Sequence, residues 1–431
     1  MEQDLFRPLL SDFIDMGHGL VLLSEKIDWS YFEREFAPLY SSRGCPSMPI
    51  RLMIGCLLLK HLYNLGDETL ARAWVMNPYM QYFCGEAFFQ HRFPCDPSDI
   101  VHFRKRIGAD GVRKIFQHSV SLFGPLAEEE LVVSDTTVQG NNTEFPTDAG
   151  LYKKVIERCN RIAREAGVEQ RQTYTRKSKE LLRQTYNGRN PRRFKAARSA
   201  RKKLRTLAGR QVRELERKLP DGQRAAYREE LDLFWRVLLQ TRTCKDKVYS
   251  LHKPYTACIA KGKASHEYEF GNKVGLIATA KRQIILAVQA FGGNPHDSRT
   301  IEPLLLQMES GGMKMPSRLA YDRGGRGPKE VRGVQVITPG KPLKKDSAYD
   351  RRKKRHPFRR RAGIEPLIGH LKYDHRMLEN YLWGRESGTV NAMLAATAWN
   401  LKKLMKALLH ILMRILFGIP SYQSYALKTL C

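Results

Sequence analysis

The chain has 431 residues, with 74 Lys and Arg against 44 Asp and Glu, a formal net charge of +30. A hydrophobic content of 42% excludes an intrinsically disordered protein, and the length gives room for two or three domains. The charge calls for a polyanionic partner, and its placement argues against a bland solubility surface: residues 1–150 are net acidic, whereas 151–250 hold 29 basic and 11 acidic residues.

Glu2 and Asp4 stand where a secretory leader would be positive, so a reduced, cytoplasmic setting is expected. Eight cysteines without a CxxC pair suit that setting. Cys84, His91 and Cys95 match no zinc spacing and lack a fourth ligand, so they read as ordinary thiols.

Residues 1–125 read as an all-helical domain for DNA binding or dimerisation. Its strongest segment is IRLMIGCLLLKHLYNL (50–65), a buried helix, after which Asp67 is suited to cap ETLARAWVM. Asp96 and Pro97 suit the N-cap and first position of another helix, which carries Arg104, Lys105 and Arg106 as a candidate DNA-contact face. LVVSDTTV (131–138) is a strand. From about 150 to 250 the pattern turns long, helical and basic, with breaks near 187–191 and 219–222, as an insertion between strands would. Arg201, Lys202 and Lys203 lie in its most basic helix and are expected to bind phosphates without regard to sequence.

Strand signals then resume in 267–280 and 283–293, an antiparallel hairpin turning at Lys281–Arg282. A helix follows over 297–310 with Asp297 or Ser298 as cap, then strands at 317–322 and 333–339. After the basic run RRKKRHPFRRR a helix is expected to start near Arg361 or Ala362, which keeps Pro366 in its first turn. The tail LKKLMKALLHILMRILF carries five basic or His residues in 17, too short and too charged to span a bilayer, so it reads as an amphipathic packing helix. Strand, insertion, hairpin, helix, strand, strand, helix is the order of an RNase H-like α/β (α+β) domain, here 126–430.

Three acids stand out. Asp135 and Asp322 end short apolar runs, and Glu365 lies in a helical pattern with Arg361 four residues before it and Lys372 seven after. Each alone reads as a turn former or a salt-bridging residue. Together, two strand-end carboxylates and one on a helix suit a pair of Mg²⁺ ions beside a phosphodiester.

The signature Phe358, Arg361, Glu365, Lys372 has the spacing of the Tyr-Arg-Glu-Lys motif of bacterial insertion-sequence DDE transposases, with Phe in place of Tyr. The chain resembles families four and five of those enzymes along nearly its whole length, in DTTVQGNNTEFPTDAGLY, GNPHDSRT, YDRGGRG and HLKYDHRMLENYLWG, and in RLMIGCLLLKHLYNLGDETL near the start. Gly325 replaces a bulkier residue expected in the YDRGGRG turn. The resemblance implies an RNase H-like catalytic domain in which Asp135, Asp322 and Glu365 bind two Mg²⁺, with Mn²⁺ able to substitute. It implies cleavage of double-stranded DNA at terminal inverted repeats to free a 3′-hydroxyl, then strand transfer into target DNA. Arg361, Lys372, Phe358 and Arg323 would then face DNA. A homodimer is expected because two ends must be joined. The alternatives are a catalytically inactive DNA-binding relic and an RNase H-like nuclease without strand transfer.

Overall fold

The structure is a computed structural model that describes residues 7–41, 47–260, 267–340 and 346–418. Short helices open it: α1 (Leu10–Phe13), α2 (Gly19–Lys26) and α3 (Trp29–Phe36). The apolar run at 50–62 forms α4 (Ile50–Leu62), in which every residue but Arg51 is buried. α5 (Asp67–Met76) and α6 (Pro78–Phe83) follow, then α7 (Pro97–Ser121). Asp96 caps α7 as the sequence indicates, accepting from Ser98 N at 2.8 Å with Pro97 in the first position. Asp67 does not cap α5. Gly66 takes the cap position, and the Asp67 carboxylate turns to Lys60 Nζ at 2.5 Å.

β1 (Leu131–Gly140) leads to a helical stretch of α8 (Asp148–Glu165), α9 (Thr175–Gln184), α10 (Pro191–Lys218) and α11 (Asp221–Leu239). The breaks between α9 and α10 and between α10 and α11 fall where Asn187–Pro191 and Leu219–Gly222 indicate. Then come β2 (Ala257–Ala260), β3 (Tyr268–Thr279), β4 (Ile285–Phe291), α12 (Ser298–Ser310), β5 (Arg318–Ala320), β6 (Glu330–Val331) and β7 (Val334–Ile337). α13 (Ala348–Arg361), α14 (Ile364–Tyr373) and the 31-residue α15 (Ser387–Phe417) finish the chain. No helix of the described residues is long and apolar enough to cross a membrane.

The chain forms two compact units. One takes in the described residues of Met1–Gln139, Lys273–Phe291 and Pro295–Cys431; the other is Gly140–Asn272 with Gly292–Asn294. The first is a mixed α/β unit. Its strands run in the order β4-β3-β1-β5-β7-β6, with β3 and β4 an antiparallel hairpin and β1, β5 and β7 mutually parallel. Central parallel strands are covered on both faces, which is why Val132, Val133, Leu319 and Ala320 are all buried. One apolar core joins Leu57 of α4, Phe116 of α7, Leu276 of β3, Leu319 of β5 and Ala395 of α15. The border expected near residue 125 therefore does not coincide with the border between the units.

In the second unit, α8 and α10 pack through Val155, Ile156, Cys159 and Ile162 against Leu204, Ala208, Val212 and Leu215. These fall at helical spacing, so the intervening Arg201, Lys202, Lys203 and Arg205 are left exposed. β2 pairs with the first residues of β3, Ala257 opposite Gly271.

Candidate active site

Parallel register brings the two aspartates together. Val133 of β1 pairs with Ala320 of β5, so residues two further along each strand, Asp135 and Asp322, reach the same level on the same face. The two carboxylates are held alike. Asp135 Oδ1 accepts from Thr136 N at 2.8 Å, and Asp322 Oδ1 accepts from Gly324 N at 2.8 Å, capping the turn Arg323–Gly325. Both Oδ2 atoms then face Arg361, whose Nη2 lies 2.7 Å from Asp135 and 3.8 Å from Asp322.

Glu365 completes the group, with Oε1 3.9 Å from Arg361 Nη1. It arrives differently from the single helix expected. Phe358 and Arg361 end α13, the chain kinks at Ala362–Gly363, and Glu365 and Lys372 belong to α14. Pro366 does lie in the first turn of α14. Among the described residues no three His, Cys, Asp or Glu side chains close on a common point. The three acids meet on the guanidinium instead.

Burial separates their roles. The Asp135 side chain is 15% exposed and the Glu365 side chain 69%. Burial raises the Asp135 carboxyl above the usual carboxylate range, opposed by Arg361 and the Thr136 N–H, and Asp322 adds to the rise. Arg361 is itself half-buried, and its Nε has no hydrogen-bond partner among the described residues.

A fourth acid stands beside the group that the sequence indicated only as a helix cap. Asp297 makes no side-chain cap bond to α12. Its Oδ1 accepts from Thr136 Oγ1 at 3.0 Å and from Lys273 Nζ at 2.5 Å, and a Cβ on Gly324 would collide with its carboxylate. Lys273 Nζ also donates to Pro295 O at 2.7 Å. The sequence signal for it is the segment GNPHDSRT. Gly325 also finds its reason here: a Cβ would enter the buried Tyr321 ring, so the bulk expected at 325 is supplied by Tyr321.

The remaining candidates are spread out. Arg323 is exposed in the turn after Asp322, and Phe358 is half-buried on α13. Lys105 and Arg106 are exposed on α7, with Arg106 4.4 Å from the Tyr40 ring centroid, but Arg104 is drawn inward and does not share their face. Arg201, Lys202 and Lys203 lie in the second unit.

A family model described as "Transposase domain (DUF772)" matches residues 8–106, from the start of the described helices into α7. A Rhizobium meliloti protein described as "Uncharacterized protein ORF8 in nfe locus" is 41% identical over 183 residues, 41% of this chain and 88% of that protein. No solved structure matches.

Proposed function

The chain belongs to a transposase-related family, and from that premise we propose that it is an insertion-sequence DDE transposase acting through Asp135, Asp322 and Glu365. The observation that carries the reading is the convergence of these carboxylates, from β1, the end of β5 and α14, on one guanidinium. The strand order β4-β3-β1-β5-β7, with an antiparallel hairpin beside parallel strands, supports an RNase H-like frame for them.

The donor set suits a hard divalent cation: three carboxylates presenting oxygen to one positive charge, with Arg361 as their present counter-cation. When bound at these oxygens, two Mg²⁺, or Mn²⁺ in their place, supply electrostatic stabilisation to the attacking and leaving oxygens of an in-line displacement. The chain's own residues set the geometry. The Thr136 and Gly324 N–H groups pin one oxygen of each aspartate, so each offers the other at a fixed position. Glu365, mostly exposed, closes the site from the solvent side.

In the reaction, a water oxygen attacks the phosphorus at an element end and the 3′-oxygen leaves. That 3′-oxygen then attacks a phosphorus of target DNA, whose own 3′-oxygen leaves. Arg361 at the end of α13 and Lys372 on α14 would hold the terminal phosphates, with Arg323 and Phe358 beside them. Lys105, Arg106, Arg201, Lys202 and Lys203 would add affinity independent of sequence. Two copies of the chain would hold the two ends.

The test is Mg²⁺-dependent nicking and joining on DNA that carries the element's ends, comparing wild type with Glu365→Gln. Loss of both reactions in the variant with DNA binding intact is expected. Nicking without joining in the wild type would reduce the reading to a nuclease, and binding without either reaction to an inactive relic.

A further inference from the structure

Away from the carboxylate site, the first unit gathers Lys60, Arg104 and Arg376 near a single acid, Asp67. Lys60, on the last turn of α4, is 6% exposed at its side chain and meets Asp67 at 2.5 Å. Arg104 enters the same region from α7. Its Nη1 is buried and has no hydrogen-bond partner among the described residues. Arg376, in the loop after α14, donates from Nη1 to Asn64 O at 3.3 Å, and its backbone is fixed by Asn391 Nδ2 donating to Arg376 O at 2.9 Å.

These groups feel one another. Burial lowers Lys60 to about 8, Asp67 opposes the fall, and the charges of Arg104 and Arg376 deepen it. Burial likewise lowers Arg104, with Asp67 opposing and Arg376 adding. His61 next door is buried and held neutral, so it adds no further positive charge. Lys60 and Arg104 thus depend on one carboxylate, Asp67, whose Oδ1 is already taken, and Arg376, lying over the Tyr381 ring at 5.6 Å, adds positive charge to both. An unpaired guanidinium atom in a buried site is costly unless a hydrogen-bonding partner arrives.

We propose that Lys60, Arg104 and Arg376, with Asp67 as their one internal counter-ion, form a binding site for a phosphate-class oxyanion. Two guanidinium forks and an ammonium offer more donors than a planar carboxylate can accept, whereas a tetrahedral oxyanion presents oxygens in several directions. The site lies on residues used by none of the strand-cleavage steps, and it stands apart from the three-carboxylate reading.

The experiment uses the full chain and inorganic phosphate. Thermal midpoints are measured in millimolar phosphate and in chloride at equal ionic strength, for wild type, Arg104→Gln and the loop variant Arg376→Gln, which guards against a folding defect in the first. The expected result is a rise of about 2–4 °C in wild type that both variants lack. The same proteins are then titrated with a short duplex at several salt concentrations. A salt slope reduced by about one in the variants identifies a DNA backbone phosphate as the natural occupant, and an unchanged slope a free oxyanion. Equal midpoints in phosphate and chloride for wild type, or a rise that persists in either variant, overturns the site. Neither midpoint requires element ends or a divalent metal, so failure here is distinct from failure of the transposase reading.

Discussion

Gln283 reaches across the first unit to donate from Nε2 to Gly363 O at 2.9 Å, fastening the hairpin turn to the kink between α13 and α14. Gln283 is itself in a left-handed conformation, φ 53°, and its carbonyl accepts from Trp399 Nε1 of α15 at 2.8 Å. The angle between Arg361 and Glu365 is therefore set from outside the two helices. Gln283→Ala is expected to cost about 1 kcal/mol in urea unfolding. It should also slow strand nicking while leaving duplex affinity within about twofold. Equal losses in both assays would mean that the bond only supports the fold.

The exposure difference between Glu365 and Arg361 separates their variants. Glu365→Gln should keep its thermal midpoint within about 2 °C, because surface substitutions of this kind are nearly neutral. Arg361→Met removes the partner that Asp135 meets at 2.7 Å in a mostly buried place. It should lose roughly 2–3 kcal/mol by chemical denaturation. A Glu365 variant as unstable as the Arg361 variant would contradict this asymmetry.

Tyr321 and Gly325 share one volume. Gly325→Ala is expected to destabilise by about 1–3 kcal/mol, since the buried ring has nowhere to move. Tyr321→Leu alone also costs stability, but in the double variant the two losses should fall short of additivity by at least about 0.5 kcal/mol. Strict additivity measured by urea titration would show that the two positions do not share the space.

His61 gives the acid limb of stability. It is buried, its Nδ1 lies 3.2 Å from Leu57 O, and burial with the charge of Lys60 holds it down at about 3. The unfolded imidazole titrates near 6.5, so its contribution is complete above pH 6.5 and is lost as the pH falls from there towards 3. By pH 5 the loss should be about 2 kcal/mol. His61→Leu should show a flatter decline between pH 6.5 and 5 in urea midpoints, and an identical slope would remove His61 as the cause.

Replacing Arg201, Lys202 and Lys203 together by Gln should weaken binding to all duplexes alike and reduce the salt slope by roughly 2–3. Their side chains are exposed on α10 and support no core, so folding should be unaffected. Loss of end preference at unchanged bulk affinity would assign them a different role.

Much of the architecture could be read from local pattern. The apolar block at 50–62, the hairpin at 267–293 and the caps of α7 each follow from short-range rules, and they appear within a few residues of the indicated bounds. The misses have physical causes. α13 has no apolar periodicity and contains Pro357; only the reciprocal cap of Ser347 and Asp350 announces it. The two-residue β6 and the four-residue β2 owe their form to a neighbouring strand. α15 begins 14 residues before the amphipathic stretch at 401, because its first half is buried on all sides and has no polar face to mark a period. For the site, the acids are visible in sequence, but Asp135 stands in the middle of β1 rather than at a strand end, and the alignment with Asp322 depends on the register of β1 with β5. Asp297 and Lys273, 24 residues apart on different elements, are a pair that only the fold can make.

The helical excursion between β1 and β3 leaves and returns at nearly one point: Asn141 N donates to Phe270 O at 3.3 Å. The helices α8–α11 and the strand β2 thus occupy the interval that a two-residue turn would fill in a plain hairpin. The excursion is a cassette. The register that aligns Asp135 with Asp322 is set between β1 and β5, outside it.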